Sequence, residues 1–444
     1  MKNFLFLLIL IPFLFSCSVK RTQPIDLKTL PQDPFAYIDK KRVNKPLINP
    51  ELMTLIDKKY NKKFFKPWDR KRAGYRKKDV LWGFRVYSRK TGFGENKQKH
   101  PKDWLKKLKQ DADLGTYPNF NKKGIIVKNT DLRVLPTEKP FFYDFNRAGE
   151  GYPFDYFQNS AVYAGTPVFI SHLSKNKDWY LVETPFALGW VKVDDVAVVD
   201  QEFIDNYKRE SFIAFTKDNI PVNDSEGNFR FYGKVGSIFP IVQKKEKSFQ
   251  IYIPVRDYDG YGIIETATVS KEDSVEKPLL PTLNNFAKIA KELINKPYGW
   301  GGYLMNRDCS ALVKDLFTPF GIWMPRNSTA QAKSGIFVPL KDLQPYQKEK
   351  IIKEMAIPYL TLVWMKGHIM IYIGKKDGEP LIFHSFWGIK TRSYLNKEGR
   401  LIVGKSAITT LKPEKGVWLV DQKKGKFLNR IQGITILFPP KYMN

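Results

Sequence analysis

Apolar residues follow different spacings in successive parts of this chain. From Asn49 to about Gln110 they recur in parts at helical spacing on a strongly basic background. Tyr60, Phe64, Phe65 and Trp68 cluster there, a set too large and apolar to leave in water, and it is expected to dock on a neighbouring domain. From Gly124 the period becomes two. IIVKNTDLRVLP, TPVFISHL, DWYLVETP and ALGWVKVDDVAVV read as short strands separated by Gly, Pro, Asn and Asp, enough for a small barrel. A second set follows in SFIAFTKDNIPV, KVGSIFPIVQ, SFQIYIPVRD and DGYGIIETATV. Both sets end alike, on Gly189-Trp-Val191 and Tyr261-Gly-Ile263, which indicates a weak repeat of two small all-β barrels; one larger β domain is the alternative. At Pro278–Pro281 the pattern changes again. Phe286, Ile289, Ala290, Leu293 and Ile294 mark an amphipathic helix, with Thr282 or Asn284 as its cap. KPYGWGG ends it. NRDCSALVKDLF then predicts a second helix with Ala311, Leu312, Val313 and Leu316 apolar, stopped by Pro319 and Gly321. Beyond Pro358 strands dominate in YLTLVWM, HIMIYIG, PLIFHSF and ITILF, so helices followed by antiparallel strands make an α+β domain. The insert Asp342–Met355 reads as a surface helix.

The first residues alter the setting. MKNFLFLLILIPFLFSC has one lysine, then an apolar run from Phe4 to Phe15 that is too short to span a bilayer but is laid out like a secretory signal. Leu14-Phe15-Ser16-Cys17 resembles a bacterial lipobox, which makes Cys17 the expected site of lipidation. Ser18 after it favours the outer over the inner membrane, so the expectation is a membrane-anchored lipoprotein facing the periplasm. Residues 18 to about 45 are polar and proline-containing, in keeping with a tether. The net charge of +29 and the aromatic-studded basic run Lys58–Lys78 would otherwise raise a nucleic-acid role. Export removes it and leaves a lysine-rich solvated surface.

Compartment also sharpens the cysteine count. The chain holds two cysteines. If Cys17 carries lipid, Cys309 is a single thiol outside the cytoplasm, either a buried inert residue or a nucleophile. It falls at the start of a helix, where partial positive charge favours a thiolate, although Asp308 beside it acts in the opposite sense. Of the four histidines, His368 opens a strand after Cys309 and His384 ends the next apolar strand, so the two can be neighbours in an antiparallel pair. Cys309 as nucleophile, His368 as base and His384 as orienter fit a papain-like hydrolase. There is no CxxC or HExxH pattern, so neither a metal nor a cofactor is expected.

Taken together, Tyr298-Gly-Trp300-Gly-Gly, Arg307-Asp308-Cys309-Ser310, Pro325-Arg326-Asn-Ser328-Thr-Ala-Gln331, Gly367-His368-Ile-Met-Ile-Tyr372 and Phe383-His384-Ser385 resemble the NlpC-type cysteine peptidases of bacterial cell walls. Upstream, Asp131-Leu-Arg-Val-Leu-Pro136, the segment Gly151–Ser160 and Gly189-Trp190-Val resemble bacterial SH3-like barrels, and Phe65-Lys-Pro67-Trp68 fits an N-terminal stabilising segment. The resemblance implies five parts: residues 1–17 a lipoprotein signal, 18–122 tether and stabilising segment, 123–201 and 202–274 the two SH3-like barrels, and 275–444 the catalytic domain. It further implies a hydrolase of peptidoglycan or its stem peptides that cuts between γ-D-glutamate and the diamino acid, diaminopimelate or lysine, with diaminopimelate the expected one; a monomer is expected. Asp308, Ser310 and Tyr298 would then hold a free L-alanine amine, with Trp300 lining the same pocket. Tyr152 and Asp155 of the first barrel would wall off one end of the cleft. An amidase or acyltransferase on the same residues, or a non-catalytic wall-binding lipoprotein, are the alternatives.

Overall fold

The computed structural model describes residues 23–88, 91–395 and 397–442. The signal segment and Cys17 lie outside the described residues.

The period-two region forms the two expected barrels. The first comprises β1 (Lys122–Ile126), β2 (Thr130–Arg133), β3 (Gln158–Val162), β4 (Pro167–Leu173), β5 (Trp179–Glu183), β6 (Leu188–Lys192) and β7 (Val196–Val199), in the order β3-β2-β6-β5-β4-β1-β7. Its interior is filled by Ile126, Leu132, Val168, Val182, Val191 and Val196. The second has a five-stranded sheet ordered β13-β12-β11-β8-β14 and a two-stranded ribbon β10-β9. These strands are β8 (Phe212–Phe215), β9 (Ile220–Asn223), β10 (Phe229–Gly233), β11 (Ile238–Lys244), β12 (Ser248–Arg256), β13 (Gly262–Ser270) and β14 (Ser274–Lys277). The strand β14 pairs with β8, so this barrel's sheet takes in residues as far as Lys277.

The N-terminal segment is a brace. Helix Pro50–Phe64 starts on an Asn49 cap with proline in its first turn. Tyr60, Phe64, Phe65 and Trp68 pack with Phe203, Tyr207 and Phe212, as their clustering predicts, and the Trp68 indole donates to the Gly124 carbonyl at 2.7 Å. The segment expected to be a tether, to about residue 45, is docked on the catalytic domain from Asp26 onward. The Asp26 carboxylate accepts the amide and hydroxyl of Thr410 at 2.8 and 2.9 Å. Gln32 exchanges two hydrogen bonds with the backbone of Ile408, and Leu47 and Ile48 are buried in the catalytic core. Polar composition hid this strap because it is held largely by hydrogen bonds to the edge strand near Ile408 and Thr410, and its buried apolar residues, such as Leu47 and Ile48, follow no regular spacing.

The catalytic domain places helices Leu283–Leu293 and Cys309–Phe317 on a six-stranded antiparallel sheet. The strands are β15 (Ile336–Pro339), β16 (Thr361–Met365), β17 (His368–Lys376), β18 (Glu379–Arg392), β19 (Glu398–Thr410) and β20 (Ile431–Ile436), ordered β15-β20-β16-β17-β18-β19. Thr282 caps the first helix by accepting from Asn285 N at 3.1 Å. Alternation sorts β17 between two cores: Ile369, Ile371 and Ile373 meet the helices, while Met370 and Tyr372 face the layer containing Ile352, Phe427 and Leu428. The insert forms a helix over Pro345–Met355, as expected, and buries Ile352 and the Lys348 stem.

Candidate active site

Cys309 is the first residue of its helix, and Asp308 is the cap, its carboxylate accepting from Ala311 N at 2.8 Å. The helix packs on β17 and β18. The backbone amides of Ile369 and Ser310 act on the sulfur in favour of its ionised form, so the thiol sits beside the residue that follows His368. Thiol and imidazole thus share the N-terminal end of β17. Burial, followed by the Asp308 charge, pushes the Cys309 thiol up to about 12. Burial, followed by the Arg430 charge, takes His368 down to about 3, and burial also holds His384 well below its ordinary value. Both shifts favour the neutral forms, a thiol and an imidazole, because desolvation and the Asp308 charge oppose the pull of the helix N-terminus towards a thiolate.

A hydrogen-bonded line fixes which nitrogen of His368 is available. The Thr409 hydroxyl donates to the Thr410 carbonyl at 2.9 Å, so it offers a lone pair to His384 Nε2 at 3.1 Å. His384 Nε2 must then carry a hydrogen, which leaves neutral His384 with a bare Nδ1. That nitrogen accepts from His368 Nε2–H at 2.8 Å. His368 is left with a bare Nδ1, the form of a base. His384 is fully buried and stacked on Phe386 at 4.2 Å.

The residues around Cys309 lock it into both barrels. Arg307 forms a bidentate pair with Asp218 at 2.6 and 2.8 Å, reaches Asp315 at 2.6 Å and donates to the Val235 carbonyl at 2.7 Å. Tyr163 of the first barrel donates to the same Asp315 at 2.7 Å. On the other side Arg326 forks onto Asp308 at 3.0 and 2.9 Å and donates from Nε to Ser160 of β3 at 2.8 Å. Gly301 and Gly302 carry positive φ and press on β3: a Cβ would lie 2.5 Å from the Gln158 carbonyl oxygen at one and 2.5 Å from the Ala161 amide nitrogen at the other. Gln331 donates to the Ser310 and Pro325 carbonyls, holding the segment with Arg326 against the helix start. Ser385 does the same for the Arg307 carbonyl at 2.9 Å.

The structure redistributes the expected substrate residues. Tyr298 lies where the charges of Asp308 and Cys309 both act on its hydroxyl, which burial pushes well up. Trp300 packs on Phe154 at 5.2 Å and Tyr156 at 5.9 Å. Phe154 also meets Tyr298 and Trp387, at 6.4 and 6.0 Å. The first barrel's β2–β3 loop therefore builds an aromatic wall on the catalytic domain, and Tyr152 continues it against Tyr303 and Trp387. Asp155 does not face the cleft. It is fully buried, pairs with Arg133 at 2.7 Å and accepts the amides of Phe141 and Phe157, so it is the loop's internal strut. Asp308 and Ser310 also depart from expectation. The Asp308 carboxylate already accepts from the Ala311 and Gly301 amides and from both terminal nitrogens of Arg326, and the Ser310 hydroxyl donates to the Arg326 carbonyl. Asp308 is neutralised from within the protein. Sequence reasoning gave no role to Arg326, Arg307, Phe154, Trp387 or Thr409. The Gly301-Gly302 doublet was a usable signal for close backbone approach; Thr409 offered none.

Sequence-family comparison agrees with this layout. The chain matches the N-terminal NLPC_P60 stabilising domain over residues 6–117, SH3 domains of SH3b1 type over 140–192 and SH3b2 type over 200–246, and the NlpC/P60 family over 295–399. The last span contains Cys309, His368 and His384. Among curated proteins it is similar to a gamma-D-glutamyl-L-lysine dipeptidyl-peptidase of Bacillus cereus, 24% identical over 165 residues. That match covers 35% of this chain and spans about half, 46%, of the relative's length. Among solved structures it is similar to an NlpC/P60 endopeptidase from Photobacterium damselae subsp. piscicida, with 30% identity, a TM-score of 0.83, and coverage of 91% of this chain and 97% of that one. With both chains aligned almost end to end and the Cys309 helix, histidine strands and both barrels in place, this protein belongs to the NlpC/P60 family of peptidoglycan hydrolases.

Proposed function

We propose that this protein is a cysteine endopeptidase that cuts the bond between γ-D-glutamate and the diamino acid in stem peptides with a free L-alanine amine. The observation that carries the reading is the aromatic wall, Phe154 packed against Tyr298, Trp300 and Trp387; in this reading it closes one end of the cleft beside Cys309. A short peptide end fits such a cleft better than a chain still attached to glycan. The L-alanine ammonium would rest on the ring faces of Tyr298 and Trp300, with the Tyr298 hydroxyl as acceptor. Asp308, already neutralised by Arg326, holds the helix start in place rather than acting as a lone counter-ion.

His368 Nδ1 takes the thiol proton as Cys309 attacks the γ-glutamyl carbonyl. The Cys309 amide heads its helix, where no preceding turn supplies an acceptor, and is placed to donate to the oxyanion. His368 then protonates the leaving amine, and water releases the dipeptide from the thioester. While His368 is an imidazolium, its Nε2–H still donates to His384, so the line to Thr409 stays intact through the cycle.

A lipid anchor at Cys17 on the periplasmic side of the membrane belongs to the same reading. Cys17 and Asp26 are nine residues apart, a reach of at most ~32 Å. The strap from Asp26 onward would hold the catalytic domain close to the membrane, which favours soluble peptides over distant wall. Mass spectrometry of products from purified protein and L-Ala-γ-D-Glu-diamino acid peptides tests the bond assignment. L-Ala-D-Glu plus free diamino acid supports it. Release of L-alanine from muramic acid in a glycan-linked substrate would instead establish an amidase.

A further inference from the structure

A cavity of about 490 Å³ opens beside the base. Five of its lining side chains are cationic, Lys366, Lys390, Arg400, Lys424 and Arg430, and none is acidic. It lies within reach of the reacting groups. Lys366 precedes His368 by one glycine, Arg430 is the charge acting most strongly on His368, and Arg400 acts on Tyr298. Lys390 is paired with Glu398. Lys366, Arg400, Lys424 and Arg430 form no ion pair among the described residues, and Arg400 Nε is buried without a hydrogen-bond partner. Arg400 and Arg430 are close enough for the charge of one to depress the other. Arg400 and Arg430 are partly buried, while Lys366 and Lys424 are exposed; two partly buried guanidiniums without a direct ion pair cost folding energy, and guanidinium forks match carboxylates. The arrangement is that of a site completed by an anion.

We propose that this cavity binds the side-chain carboxylate of the diamino acid on the leaving side of the scissile bond, so that the enzyme selects diaminopimelate over lysine. The inference rests on the endopeptidase reading above. A lysine side chain would present an ammonium to four unpaired cations. Diaminopimelate presents a carboxylate alongside its ammonium.

The test uses three peptides, L-Ala-γ-D-Glu linked to diaminopimelate, to diaminopimelate amidated on its side-chain carboxyl, and to lysine. All three keep the main-chain carboxylate. Turnover of each is measured with the intact enzyme and with Arg400→Gln, Arg430→Gln and the exposed Lys366→Gln. Binding of each to Cys309→Ala, alone and combined with those changes, is measured by calorimetry. The expected result is a preference of about tenfold or more for the acid over the amide and over lysine, falling towards one in the arginine variants and weakening in Lys366→Gln. Equal handling of the three peptides by the intact enzyme, or a preference undiminished in every variant, overturns the inference while leaving the endopeptidase reading in place. Equal losses on all three peptides would place the bound carboxylate on the main chain and overturn it too. If none of the peptides is cleaved, the endopeptidase reading fails, and calorimetry decides the cavity separately: an acid preference removed by Arg430→Gln supports it, and equal binding of acid and amide overturns it.

Discussion

Thr409 is uncharged and buried, yet it sets which nitrogen of His368 is free, because its hydroxyl is already spent on the Thr410 carbonyl. Thr409→Val keeps the shape and removes the acceptor, leaving His384 Nε2–H unsatisfied. We expect kcat to fall roughly tenfold with KM little changed, since the base loses its orientation but the cleft does not change. A fall in KM-dependent binding with kcat intact would contradict this. His384→Ala should cost more, on the order of a hundredfold, and Cys309→Ala should abolish turnover. Resting neutrality of the pair gives a second expectation. With the thiol at about 12 and His368 at about 3, alkylation of Cys309 by iodoacetamide should be slow at neutral pH and rise steadily through pH 9. A rate plateau between pH 5 and 8 would instead reveal a standing thiolate–imidazolium pair.

At the scale of elements, the short run Arg307-Asp308-Cys309 divides its labour: one residue anchors to the second barrel, one reaches the first through Arg326, and one is left for chemistry. Arg326→Met would strand the Asp308 carboxylate, which is buried with its partner, and should destabilise the protein by about 3 kcal/mol in urea unfolding. Phe154→Ala should open the end of the cleft and raise KM for free peptides. These elements also show what could be read from the sequence. Period-two runs identified both barrels, and the apolar spacing around Phe286 and Leu312 located both helices, because each buries one regular face. Cys309, His368 and His384 were legible because rare residues fell at the ends of such elements. Trp387 and Phe154 were not: their importance comes from a contact between domains more than 200 positions apart in the chain, which no local period encodes. Asp155 and Asp308 were read as substrate-facing from the family resemblance alone, while their partners Arg133 and Arg326 are fixed only by the tertiary fold.

The molecule as a whole behaves as one braced unit, with the strap from Asp26 to Ile48 and the helix Pro50–Phe64 joining catalytic domain and barrels. Its burial of neutral histidines makes stability depend on pH. His368 binds a proton near 6.5 when unfolded and only at about 3 when folded, so the unfolded state takes up more protons between those values. Stability is complete above pH 6.5 and declines as pH falls towards 3; urea midpoints should show that slope, and His368→Asn should flatten it. The central claim is that the aromatic wall restricts the cleft to peptides with a free amine. The most direct measurement compares L-Ala-γ-D-Glu-diaminopimelate with its N-acetylated form, following release of the dipeptide by mass spectrometry with Cys309→Ala as control. The account predicts Cys309-dependent cleavage of the free-amine peptide and roughly hundredfold slower cleavage of the acetylated one. Equal rates on both would mean that the aromatic wall leaves the cleft open and that the free amine is not read.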